Sequence, residues 1–197
     1  MEIKIFKPTL PPPNVREILR YAGAVGDNSE LSREVEALLP SLSRVISPAA
    51  CYAELPVSVC GEEVAIGSLR VNSKSLSARM RGAGRAVLFA VTLGISLDRE
   101  IMRLGAISPA KQLFADAFGA ERIESGCDAL CFELEKIYGE GRVLKRFSAG
   151  YGDVPLELQR DIFAILDCPR KIGLTLNESL LMSPSKSVTA IVGILDK

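Results

Sequence analysis

Histidine does not occur in this chain of 197 residues. Its absence removes Ser-His and Cys-His nucleophilic pairs, imidazole metal sites and the usual general base near neutral pH. Any chemistry must run on carboxylates, Lys, Tyr, Cys, backbone dipoles or a cofactor. Net charge is missing as well: Lys plus Arg and Asp plus Glu number 24 each. No overall field gathers a polyanion, so neither nucleic acid nor a membrane surface is expected as the main partner. One local basic cluster, Arg79, Arg81 and Arg85 with Lys74, reads as a solvated loop before it reads as a docking patch.

Long apolar runs are also absent. The longest, Ala86 to Leu93, is less than half of the ~20 residues a spanning helix needs and reads as a buried strand. The opening MEIKIFKPTLPPP lacks the apolar stretch and cleavage site of a signal peptide, so a cytoplasmic location is expected. The five cysteines include no CxxC, which argues for reduced thiols over a disulfide framework. Cys127 and Cys131 are spaced to share a helix face. Two thiolates without further ligands make a poor zinc site, so core packing is expected there.

What is present is a 48% hydrophobic chain of a length suited to one well-cored domain. Ile3 and Ile5 alternate with polar residues as in a strand. Asn14 to Ala22 reads as a short helix. From Ser29, the residues Leu31, Val35, Leu38, Leu42 and Val45 mark one helical face, with Pro40 as a break or kink. Tyr52–Val59 and Val64–Val71 form a hairpin signal around Gly61. Ser73 to Met80 is a candidate helix, AVLFAVTL a buried strand, and Gly94 its stop. The stretch GAGRA at Gly82 to Ala86 resembles a dinucleotide loop, but a strand follows it where phosphate binding needs a helix N-terminus.

Pro109 to Tyr138 carries Leu113, Phe114, Ala117, Ile123, Cys127, Leu130, Leu134 and Ile137 on a helical period. Its Gly119 and Gly126 either admit a close neighbour or weaken the helix. The strand VLKRF, the loop SAGYGDVP and a helix from Leu156 to Leu166 follow. Strand-like runs at Leu174–Asn177 and Val188–Ile194 flank SPSK. Short hairpins with few possible crossover helices predict an α+β fold, a single domain over 1–197 with a twisted antiparallel or mixed sheet flanked by helices.

The segment RFSAGYGD, residues 146 to 153, holds the candidate site. It places a guanidinium, a flexible backbone and an aromatic plate within one turn. These parts suit a small zwitterion attached to a flat ring, because the guanidinium can pair a carboxylate in bidentate fashion. The alternative is a turn in which Arg146 pairs with Asp153 or Glu157 and Tyr151 is core.

The segment and its continuation, DCPRKIGLTLNESLLMSPSKSVTAIVGI, resemble the activation domain of cobalamin-dependent methionine synthase. That family carries an R-x-x-x-G-Y loop, a helix, a G-x-x-L-T/N-E-S strand and an M-x-P-x-x-S-V hairpin. Arg146, Gly150, Tyr151, Gly173, Leu176, Glu178, Ser179, Met182, Pro184, Ser187 and Val188 fall in its register, and the resemblance is strongest over 140–194. Residues 1–138, with REILRYAG and FAVTLG, are more loosely similar to its stand-alone members.

The resemblance implies a cytoplasmic reactivation factor, part of a methyltransferase activity in methionine biosynthesis. Such a factor binds S-adenosylmethionine and caps a corrinoid while cob(II)alamin is reduced and methylated. Arg146 would then hold the methionyl carboxylate, Ser148 would supply backbone contacts, Gly150 and Tyr151 would line the ligand, and Glu140 would meet its amino group. No side chain need act as acid or base, since the cofactors supply the chemistry. The chain carries no cobalamin module and stops at Lys197, before further family tyrosines. The expected partners are therefore a separate cobalamin-binding methionine synthase or other corrinoid protein and an electron donor such as flavodoxin. Two other readings stay open: a capping module that no longer binds S-adenosylmethionine, and a hydrolase with a cysteine nucleophile, for which no base is visible.

Overall fold

The structure is a computed structural model that describes residues 1–24 and 29–196. The alternating N-terminal segment forms β1 (Lys4–Phe6). After the prolines, Asn14 starts α1 (Val15–Tyr21), its side chain accepting from the N–H groups of Arg16 and Glu17 at 3.1 and 3.3 Å, a common way to satisfy the first free donors of a helix. The next helix, α2 (Ser29–Val45), runs unbroken through Pro40 and buries Val35 and Leu42.

Strands β2 (Ala49–Cys60), β3 (Glu63–Ile66) and β4 (Leu69–Asn72) follow. The expected hairpin around Gly61 is present. Val64–Val71, however, is two strands and not one. Gly67, at φ +55°, turns the chain there, and its N–H donates to the Pro56 carbonyl at 2.9 Å. Then come α3 (Lys74–Arg79), β5 (Ala83–Thr92), α4 (Ile95–Gly105) and α5 (Pro109–Tyr138). The GAGRA glycines thus lead into β5. Sequence reading stopped the chain at Gly94 and missed α4, although Leu97, Ile101 and Leu104 carry its buried face. The last elements are α6 (Leu158–Leu166), α7 (Cys168–Ile172), β6 (Thr175–Leu176), β7 (Met182–Ser183) and β8 (Ser187–Leu195).

Among the described residues, the main sheet runs in the order β4-β3-β2-β5-β8, with β1 beside β2 and every pairing antiparallel. The fold is α+β, as the hairpin pattern predicts. Because side chains alternate across a sheet, two cores result. One face of the sheet, with Val87, Phe89, Val91, Ala190 and Val192, packs against α1, α2, α4 and α5. The other, with Cys51, Ala86, Leu88 and Ile191, packs against α3, α6 and α7.

The long helix α5 is buried over most of its middle, since the sheet lies on one side and α1 and α4 on the other. Both of its internal glycines serve close approach. A Cβ at Gly119 would meet the Lys186 side chain at 2.8 Å, and one at Gly126 would meet Val91 Cγ1 at 3.2 Å. Cys127 is fully buried in the first core and burial pushes its thiol up. Cys131 is only partly buried.

Candidate functional site

The run VLKRF touches β8 through its first two residues and its last, with the Leu144 N–H donating to the Gly193 carbonyl at 2.9 Å. Val143 bridges Ile194 and Phe147 bridges Ile191. Phe147 and Ile191 exchange both backbone hydrogen bonds, at 2.9 and 2.8 Å. Beyond Phe147 the chain leaves the edge of β8 and turns into the SAGYGD loop. A cavity of about 410 Å³ opens there, between the loop, α5, α6 and the first residues of β8.

The loop is held at several points. Ala149 and Val154 are buried in the second core, and the Gly150 N–H donates to the Val154 carbonyl at 3.0 Å. Gly150 and Gly152 have φ of +84° and +59°, which side chains other than glycine adopt at a cost. A Cβ at Gly152 would also come within 2.6 Å of Ser75 Oγ. Asp153 explains that closeness. Its carboxylate accepts from the Ser73 hydroxyl and from the N–H groups of Lys74 and Ser75, the latter two at 2.8 and 3.1 Å. Those bonds, that of Ser73 foremost, hold its carboxyl well below the usual carboxylate range. The loop aspartate therefore fastens the loop to the start of α3 and does not pair with Arg146.

Arg146 reaches instead across to α5, where its guanidinium donates to Glu124 and Asp128. Its side chain is 27% exposed, Glu124 44% and Asp128 71%. Burial works against its charge, but the hydrogen bond to Asp128 and the neighbouring anionic groups outweigh this and hold its pKa above the ordinary guanidinium value. Tyr151 is 68% exposed, so it is a plate at the cavity mouth and not a core residue.

Arg146, Ser148 and Tyr151 are brought together on the cavity wall. Met182, Ser187 and Val188 of the sequence motif line it too. Gly150 shapes the loop without lining the cavity. Glu140 is exposed in the turn after α5 and does not line the cavity. The carboxylate that does is Glu124, on the helix face opposite the loop. Sequence reading missed it, since nothing in the spacing ties a residue in mid-helix to an arginine on a later segment.

Arg79 was expected in a solvated basic loop. It is exposed, but it stands at the cavity as a second cation, while Arg85 turns away to Glu54 and stacks on Tyr138. Gln159 and Thr189 complete the wall and were also missed. The hairpin that carries the motif residues is fixed from the helical side. The Ser185 N–H donates to the Asp98 carboxylate at 3.2 Å, and Lys186 pairs with Asp116 at 2.8 Å.

No known protein family and no curated protein sequence matches the chain. Among solved structures it is similar to the crystal structure of the MetH reactivation domain bound to AdoHcy, with 15% sequence identity and a TM-score of 0.76. The likeness covers 98% of this chain and 78% of that one. The chain therefore has the fold of that reactivation domain, the one its C-terminal motif resembles. No helix of the described residues is long and apolar enough to cross a membrane.

Proposed function

We propose that this chain binds S-adenosylmethionine in the edge cavity and serves as a reactivation module for a cobalamin-dependent methyltransferase, methionine synthase before others. The observation that carries the proposal is the opposed pair on the cavity wall. A guanidinium, Arg146, and a carboxylate, Glu124, stand together where the motif loop leaves β8. That pair matches an amino acid's own two charges in reverse. Arg146 holds the ligand carboxylate through two parallel hydrogen bonds, Glu124 takes the ammonium group, and Tyr151 offers its ring at the mouth.

S-Adenosylmethionine, when bound, supplies the methyl group. The chain's own work is to bind it, orient it and shield it from water, which needs no general base and so fits a sequence without histidine. In this reading the corrinoid belongs to a separate partner protein and reduction comes from an electron donor of the flavodoxin kind. The protein purified alone is then expected to retain no corrinoid.

A second reading has one observation in its favour. Arg146 already has two carboxylate partners in the protein, as expected of a capping module that has given up the ligand. Calorimetric titration with S-adenosylmethionine separates the two. Saturable one-to-one binding, competed by AdoHcy, supports the first reading, and no heat at millimolar ligand supports the second.

A further inference from the structure

On the side of α3 and α6 the cavity carries, besides the Arg79 cation, two uncharged residues whose hydrogen-bonding capacity the protein leaves unspent. Gln159 on α6 is 7% exposed and Thr189 on β8 is 2% exposed. Gln159 Oε1 and Thr189 Oγ1 are the buried side-chain oxygens or nitrogens that lack a hydrogen-bond partner among the described residues. Both residues line this cavity. A buried polar atom without a partner costs stability, so native proteins keep few of them. Two around one cavity mark a place where a partner arrives from outside the chain.

The backbone adds to this wall. In an antiparallel ladder, residues two apart present their N–H and C=O groups to the same side. Ile191 gives both groups to Phe147, so Thr189 turns both toward the same edge. The chain has left that edge by then, and neither Ser148 nor Ala149 bonds to Thr189. Side-chain alternation puts Thr189 on the face of Ile191, which packs in the core shared with α6. The charged groups Arg146 and Glu124 lie on the α5 side of the edge.

We infer that Gln159 and Thr189 are ligand contacts that read the neutral, nucleoside half of the ligand, while the α5 side takes the amino-acid half. Gln159 Oε1 accepts from a hydroxyl or amino group of that half. Thr189 meets a donor and an acceptor at once, as an aminopurine edge or a ribose supplies. The inference deepens the S-adenosylmethionine reading and rests on it.

The experiment is a calorimetric titration of AdoHcy into wild type, Gln159→Met, Thr189→Val and Thr189→Ser, with a thermal melt of each protein without ligand. Gln159→Met and Thr189→Val keep side-chain size and remove the unspent polar atom. They should weaken AdoHcy about five- to tenfold while leaving the melting temperature equal or higher, because an unpaired buried polar group has gone. Thr189→Ser, which retains the hydroxyl, should bind within about twofold of wild type. A purely structural role predicts the reverse, lower melting temperatures with unchanged affinity, and that result overturns the inference.

S-Inosylhomocysteine, which lacks the exocyclic amino donor, separates the base from the ribose. A wild-type preference for AdoHcy that disappears in Gln159→Met places the contact on the base. A uniform loss with both ligands places it on the ribose. If wild type itself binds no AdoHcy, the reading beneath the inference fails, and the inference with it. If wild type binds and both isosteric variants bind equally well, the inference fails alone.

Discussion

Replacing Asp128 by Asn should tighten ligand binding, an uncommon direction for a change beside a binding arginine. In the free protein the Arg146 guanidinium is shared between Glu124 and Asp128. A ligand carboxylate has to displace one of them, and Asp128, at 71% exposed, is the one that water can take over most readily. Exposed ion pairs are worth ~0.2 to 1 kcal/mol. Removing this competitor therefore releases at most about 1 kcal/mol to the ligand, a gain of up to about fivefold in affinity. The same loss should lower the melting temperature by no more than about 4 °C in a protein of this size. Calorimetric titration of S-adenosylmethionine into wild type and Asp128→Asn, with melts of both, measures the two effects. An unchanged affinity would show that Asp128 does not compete. A tenfold weaker one would make it, in place of Glu124, the group that holds the ligand's ammonium.

Three further outcomes are expected. Glu121→Ala should destabilise the fold by about 3 to 5 kcal/mol, because it strands the buried charge of Arg122, which pairs with Glu121 and donates to the carbonyls of Pro11 and Pro12. A denaturant melt showing less than about 1 kcal/mol would contradict that. Asp153→Asn should melt lower than wild type near neutral pH, with the gap closing in acid. The folded pKa of Asp153 is depressed, so its contribution is present above the unfolded value of ~3.9 and fades as pH falls below it; parallel melting curves from pH 6 to 2 would refute this. Glu124→Gln should weaken S-adenosylmethionine by about tenfold or more if it meets the ammonium group, whereas Glu140→Gln, away from the cavity, should leave titration unchanged.

Most of the fold could be read from local pattern. The thirty residues of α5 follow from one apolar period, and β5 from a single buried run. Two misses have physical causes. Gly94 ends a strand but also opens α4, since a glycine at φ +85° serves as the residue before a helix as well as a stop. Gly67 divides what reads as one strand because a two-residue turn leaves the apolar alternation on either side almost intact.

The site was half legible. The loop residues Arg146, Ser148 and Tyr151 are close in sequence and were named together. Glu124, Gln159 and Thr189 reach the cavity from three different elements, and only the packing of α5 and α6 on opposite faces of β8 unites them. The alternative reading, in which Arg146 pairs with Asp153 or Glu157, failed for a similar reason. Three donors at the start of α3, distant in sequence, outbid the nearby guanidinium.

The central claim is that Arg146 holds the carboxylate of S-adenosylmethionine. Titrating that ligand into wild type, Arg146→Lys and Arg146→Ala, with melts to show that all three fold, tests it most directly. Removing one partner of a hydrogen-bonded charge pair at a partly dry site costs ~2 to 5 kcal/mol, on the order of thirtyfold or more in affinity. The account predicts that loss for alanine and partial recovery for lysine, which keeps the charge without the two-pronged geometry. Equal affinities in the three proteins would contradict it.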